Sequence, residues 1–493
     1  MRYAILFATA VVCLGQPLQD AEKELFGARY KAAAQLYAKV LESDPSQSDA
    51  YYGLVRALLR DHRSQEAYAA ADEALKKCPN SAAAQTAAGL ATYRRGDLGK
   101  AEQYFRAALK LDPAYPGALQ GLASIHSAVS RPKTARDLLL AAYHNSPGDP
   151  ELMLAYANTL KRAEHIAALQ RALAILDAES EEARNVRAHI ASDLAVGDRK
   201  LRRLVSPYET SRIKLVRILN GTQQTRGVGL HVRLNRRQSA LLMLDTGASG
   251  ISISPKAAEH AGLEMLGDQS SDAKGIGDKA VQASFRYLVS ELQAGDVTFA
   301  DYPVSVFRAA KSPDYDGLIG ADVFAKFLVT LDFPRMEVAL EPRADDASSE
   351  SDEPVDANPP ASGFQRLFRF GNHLAVPTYI NGSGPTLFMI DSGSSANLVD
   401  TATASEASKV HRDYVTRVTG LQGQVKQVSE AENVSLAFAG FRQVNSSLVA
   451  ISLERLGDDM RVAFGGVLGM PVLSNLKVTI DYREGTARFE YKK

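Results

Sequence analysis

The chain contains one segment twice. "HVRLNRRQSALLMLDTGASG" (231–250) lies over "PTYINGSGPTLFMIDSGSSA" (377–396) without a gap and sets Asp245 over Asp391, 146 residues apart. Downstream, "LIGADVFAKFLVTLDFPRMEVAL" (318–340) lies over "VLGMPVLSNLKVTIDYREGTARF" (467–489), with Asp332 over Asp481 at an offset of 149. Between these anchors the copies differ by only about three residues of insertion. The surrounding texture, "KLVRILN", "GVGLHVRLN", "ALLMLDTG", is short apolar alternation broken by Gly, which is strand patterning. It begins near Lys214, pauses at the acidic, Ser/Pro-rich stretch "RADDASSESDEPVDANPPASG", and resumes at Phe364. That stretch reads as a solvated linker. A duplicated strand module therefore predicts two similar all-β lobes, 205–342 and 363–493, joined by a linker over 343–362.

Each copy ends an apolar run on a single Asp, where burial disfavours the ionised form. A pseudo-twofold axis that brought Asp245 and Asp391 together would explain why both are kept. Two carboxylates about 3 Å apart cannot both ionise, so one serves as base while the other stays protonated as acid. Such a pair can activate a water and donate to the carbonyl oxygen of a peptide bond.

The pair of motifs, Asp245-Thr246-Gly247 and Asp391-Ser392-Gly393, each followed by Leu318-Ile319-Gly320 or Val467-Leu468-Gly469, resembles the aspartic peptidases, in particular retropepsin-like lobes. The resemblance covers about residues 214–493 and implies catalytic roles for Asp245 and Asp391. It implies that Thr246 and Ser392 hydrogen-bond across to the opposite lobe, and that Gly247 and Gly393 let backbone amides approach the carboxylates. The apolar-apolar-Gly element is expected to pack behind the turn. Ser392 in place of Thr keeps the hydroxyl. A β-hairpin flap usually covers the cleft; by position the candidates are "KGIGDKA" (Gly275, Gly277) and "TGLQGQV" (Gly420, Gly423), neither with an obvious family side chain.

Ahead of the lobes, prolines fall at 45, 79, 113 and 147, each interval being 34 residues. In that register Ala33, Ala67, Ala101 and Ala135 align, followed by Tyr37, Ala71, Phe105 and Leu139, then Val40, Ala74, Ala108 and Ala142. Small residues at these spacings allow two antiparallel helices to approach closely, and bulkier ones fill the gap between repeats. A helix–turn–helix period of 34 resembles the tetratricopeptide repeat, with "RRGDLGKAEQYFRAALKLDP" the nearest match. A fifth repeat from about Asp149 degrades, and the polar helix "SEEARNVRAHIASDLAVGDR" is expected to cap a helical domain over 17–200. The fold class expected is thus multidomain, an all-α tetratricopeptide-repeat superhelix followed by two all-β retropepsin-like lobes. The repeats are expected to offer a concave surface to a protein partner or polypeptide substrate.

"MRYAILFATAVVCLGQ" has the positive, apolar, small-residue order of a secretory signal, with a cut after Gly15 and a periplasmic or secreted product. A lipoprotein reading through Cys13 is weaker because Val12 precedes it. Beyond residues 1–15 no stretch is long enough to span a bilayer. With only Cys13 and Cys78, an exported product has no intramolecular disulfide. The 57 basic and 57 acidic residues balance, which offers no electrostatic case for nucleic acid. No cofactor or metal is expected: the nine His show no His-Glu-x-x-His spacing, and no Gly-x-Ser-x-Gly elbow occurs. "GIGDKA" fits a relaxed dinucleotide fingerprint but lacks the flanking βαβ unit, so it reads as a hairpin turn. Asp332 and Asp481 are assigned turn or edge roles, and Asp316 and Asp322 have no counterparts in the second lobe. The reading is an exported aspartic endopeptidase. Its alternatives are a non-catalytic scaffold that binds extended peptide by strand addition, and a pair of chains that match equivalent lobes.

Overall fold

A computed structural model describes residues 16–219, 225–273, 276, 282–307, 314–343, 363–413, 415–420 and 423–491. The signal-like stretch 1–15, linker residues 344–362, and Gly275 and Gly277 lie outside them. The chain divides into a helical unit and a strand unit, which meet in the sequence near residue 190.

The helical unit is a run of hairpins at the proline period. Residues 16–26 precede Tyr30–Ser43; then Ser48–Arg60 pairs with Ser64–Lys77, Ala82–Arg94 with Leu98–Leu111, and Pro116–Ala128 with Pro132–Asn145. Asp44, Cys78, Asp112 and Ser146, each preceding one of the spaced prolines, leave helical geometry at the C-caps. The proline ring disfavours the α conformation in the residue before it, so the helix stops there. Ala33, Ala67 and Ala101 are fully buried, Ala135 nearly so, and Phe105 fills the space beyond them. Leu139, in the same register, is only half-buried. The fifth hairpin is short, as the sequence suggests: Asp149 caps Pro150–Ala157 by accepting from the Glu151 and Leu152 amides, and Arg162–Leu173 follows.

Ion pairs also join hairpins that are far apart in the sequence. Arg56, itself 9% exposed, reaches across to Asp149 (2.7 Å) and Glu151 (2.9 Å). Arg60 pairs with Glu182, and Arg29 lies 3.2 Å from Asp177, whose amide donates to the Gly27 carbonyl. Tyr115 meets Tyr52 edge-on and donates to Asp49. The first two hairpins thus touch the chain that follows the fourth. Arg56–Glu151, Arg60–Glu182 and Arg29–Asp177 are 95, 122 and 148 residues apart, none a multiple of 34, so the repeat period carries no sign of these contacts.

The strand unit contains two barrels of identical connectivity. In the first, a closed ring runs through Thr225–Leu234, Gln238–Leu244, Gly317–Ile319, Ile251–Ile253, Val297–Phe307 and Gln282–Ala294, back to Thr225–Leu234. In the second, the ring is His373–Ile380, Ser383–Ile390, Gly466–Leu468, Leu398–Asp400, Phe441–Ile451 and Val428–Phe438. Closure removes exposed strand edges from a two-sided module. A third, six-stranded sheet is shared between the lobes, and at its centre Leu328–Asp332 pairs antiparallel with Leu476–Asp481. Thr330 faces Thr479 there, their buried hydroxyls 3.0 Å apart. One apolar cluster, from Ile213 to Phe489, runs through both barrels and this sheet. Asp332 and Asp481 take the turn role expected of them, accepting from Arg335 and from Arg483 and Glu484 amides just past their strands. No helix among the described residues is long and apolar enough to cross a membrane.

Candidate active site

Each active-site turn begins where a buried strand ends. Gln238–Leu244 delivers Asp245 and Ser383–Ile390 delivers Asp391, and both strands run parallel to their lobe's short Leu-Ile-Gly or Val-Leu-Gly strand. The Asp245 amide donates to Ile319 (2.9 Å) and the Asp391 amide to Leu468 (3.0 Å), so the downstream element does sit behind the turn. The Gly247 amide donates to Asp245 Oδ1 at 2.9 Å and the Gly393 amide to Asp391 Oδ1 at 2.8 Å, which aims each carboxyl at the other lobe.

The two turns interlock. Thr246 Oγ1 donates to the Ile390 carbonyl (2.8 Å) and accepts from the Ser392 amide (2.9 Å). Ser392 Oγ donates to the Leu244 carbonyl (2.8 Å) and accepts from the Thr246 amide (3.1 Å). Thr246 and Ser392 are almost wholly buried, so these four bonds satisfy groups that water cannot reach. Both hydroxyls thus bond across the lobe boundary.

Between the turns the carboxyls of Asp245 and Asp391 face each other, each against the glycine of the opposite turn. A Cβ built on Gly247 would lie 2.7 Å from Asp391 Cγ, and one on Gly393 would lie 2.5 Å from Asp245 Cγ. Only glycine fits where each turn meets the opposite acid. Burial, then the facing carboxylate, pushes Asp245 well above the usual carboxylate range; burial also raises Asp391. The pair therefore holds one proton through a range where isolated acids would hold none.

Of the flap candidates, Thr419–Gly420 and Gly423–Gln424 form a small antiparallel hairpin. A Cβ on Gly420 would fall 2.3 Å from the Ile276 carbonyl, so the flap position of the second lobe abuts that of the first. Gly275 and Gly277 flank Ile276 but lie outside the described residues.

A sequence model for aspartyl proteases matches residues 230–323 and 376–472, one stretch in each barrel. A tetratricopeptide-repeat model matches 21–82 and 86–150. The chain is a tetratricopeptide-repeat protein with a two-lobed aspartyl protease domain. Solved structures similar to it include a thermophilic repeat protein of Thermus thermophilus (20% identity over 37% of this chain and 98% of that one, TM-score 0.29). Another is a chain of the APC/C hetero-tetramer Cut9–Hcn1 (17% identity, 36% and 42%, TM-score 0.29), of whose length this protein spans less than half. No curated protein matches it. In the protease domain, Asp316 accepts from the Leu241 amide and braces the active-site strand. Asp322 and Asn372 also reach the first turn, and the sequence pattern assigns them no role. The available signal was asymmetry: at the offset of 149, Pro471 stands opposite Asp322.

Proposed function

We propose that this protein is an exported aspartic endopeptidase whose repeats engage a protein partner or the polypeptide substrate. The observation that carries the reading is that Asp245 and Asp391 meet inside one chain, each carboxyl lying against the opposite turn's glycine. In the mechanism it supports, the ionised carboxylate takes a proton from a water lodged between the two acids. The water oxygen attacks the peptide carbonyl carbon, while the protonated acid gives its proton to the carbonyl oxygen. The resulting gem-diol collapses when a carboxylate recovers a hydroxyl proton and the departing nitrogen is protonated. The Gly420–Ile276 contact supports a covered cleft, which would strengthen these electrostatics by excluding water.

Dyad formation within one chain favours this reading over a pair of chains that match equivalent lobes, and an intact turn in each lobe favours it over a degenerate scaffold. Export is supported by the N-terminal residue order, and the mature chain then begins near Gln16; recovery of the native protein with Met1 retained would count against it. The test of function is incubation of residues 16–493 with an unbiased peptide library from acid to neutral pH, with and without pepstatin. Pepstatin-sensitive cleavage is expected. Absence of both cleavage and pepstatin binding would remove the proposal.

A further inference from the structure

One helix of the repeat unit touches the starts of three later ones. Tyr52, Arg56 and Arg60 stand at i, i+4 and i+8 in Ser48–Arg60, a spacing that sets them in a row on one face. Tyr52 meets Tyr115, which directly precedes Pro116–Ala128, with ring centroids 5.6 Å apart. A Cβ on Gly117 would lie 2.2 Å from the Tyr52 hydroxyl oxygen, so it is the missing side chain there that admits the ring. Arg56 lies 2.7 Å from Asp149, the cap of Pro150–Ala157, and 2.9 Å from Glu151 in its first turn. Arg60 pairs with Glu182 in the first turn of Glu181–Val196. Free amides favour acids at helix caps and first turns, so two successive helix starts offer carboxylates to one row of guanidinium groups.

Tyrosines and one backbone bond complete the joint. The Arg56 guanidinium lies over the Tyr52 ring at 5.4 Å and that of Arg60 over the Tyr30 ring at 5.1 Å. Tyr30 donates to Glu182 at 2.7 Å. Beside them the Asp177 amide donates to the Gly27 carbonyl at 3.1 Å, and Arg29 reaches the Asp177 carboxylate. In an open array each repeat touches only its neighbours. Here Arg60 and Arg29 meet chain 122 and 148 residues further on. The apolar cluster of the first hairpins runs from Ala21 to Ala91 and is separate from the cluster Ala157–Val186; Ala28, in the first turn, packs against the latter. Buried ion pairs set attraction against desolvation, so a joint built from them has specific geometry and modest net strength. It can part and leave each apolar cluster whole.

We infer that Ser48–Arg60 is a clasp. The row Tyr52, Arg56 and Arg60, with the Gly27–Asp177 contact, closes the repeat unit on itself, and the unit opens by release of this polar joint and not by loss of its hairpins. The same folded hairpins thus have a closed, stiff arrangement and an open one that flexes between neighbours. This holds whether or not the lobes cleave peptide.

The test uses the full chain and hydrogen exchange, read by mass spectrometry with fragmentation that resolves the Asp177 amide. That amide reports closure directly, because its acceptor lies in the first turn of the unit. In the unaltered chain it should be protected. Arg56→Met with Arg60→Met leaves the acids uncompensated, and exchange at Asp177 should rise on the order of a hundredfold, the scale of removing one side of a buried ion pair. Ala82–Arg94 and Leu98–Leu111 should keep their protection, and the radius of gyration from solution scattering should increase. An unprotected Asp177 amide in the unaltered chain overturns the inference without any variant. So does unchanged exchange at Asp177 in the double variant. If the double variant loses protection throughout, Arg60→Met alone decides in the same terms: faster exchange at Asp177 with both helices protected supports the clasp, and any other pattern removes it.

Discussion

The two barrels share one connectivity and one turn, yet their surroundings differ. Asp245 and Asp391 occupy equivalent strand ends, receive equivalent amide donors and face each other's glycine. Behind them, Asp322 and Asn372 hold the first turn, whereas in the second lobe Asn397 accepts the amide of Gly469 in the element behind the turn. Duplication accounts for the symmetric layer, because chemistry that needs two acids at one point is met by using one module twice. Single-chain fusion accounts for the asymmetric layer, because each copy can then change alone.

The largest expected effect breaks the symmetric layer. Asp245→Asn and Asp391→Asn should each remove nearly all peptide cleavage, and the double variant should lose little more, since losses within one catalytic unit are not additive. Steady-state cleavage at matched folded concentration reads this directly; substantial turnover by either single variant would end the in-chain dyad. Gly393→Ala comes next. Its methyl would intrude on the Asp245 carboxyl, so cleavage should fall steeply although the change adds one carbon. Gly250→Ala, with nothing within 4 Å, should cost strain at its positive φ but leave the dyad in place.

Stability variants sharpen the comparison. Ser392→Ala leaves the Leu244 carbonyl and the Thr246 amide buried without partners, at a cost of about 2–4 kcal/mol in chemical denaturation. Ser392→Thr, which reproduces the first lobe, should be close to neutral. Raised acids act in the opposite sense to ordinary ion-paired ones. Their contribution to stability is complete below the unfolded carboxylate range and is lost as pH rises through the higher folded values. The unaltered protein should therefore lose thermal stability relative to Asp245→Asn between acid and neutral pH; a constant difference across that window would contradict the shared proton. The smallest effect lies in the shared sheet. Thr330→Val or Thr479→Val alone should cost about 1–3 kcal/mol, and the double variant less than their sum, because paired apolar groups leave no orphan hydroxyl.

The sequence alone determined the layers that repeat. A 34-residue proline period places helix ends locally, through the steric demand of each proline on the residue before it. A duplicated Asp-Thr/Ser-Gly motif places the acids and hydroxyls, because the same short strand–turn chemistry is written twice. Tertiary structure alone decided what does not repeat. That Arg56 pairs with Asp149 and Glu151 across the repeats, or that Asn372 holds the turn after Asp245, depends on residues far apart in the chain with no periodic spacing to link them. Asp322 was visible as an acid without a counterpart, but its partner was not, since a hydrogen bond between lobes is set by how two barrels pack on their shared sheet and not by local propensity.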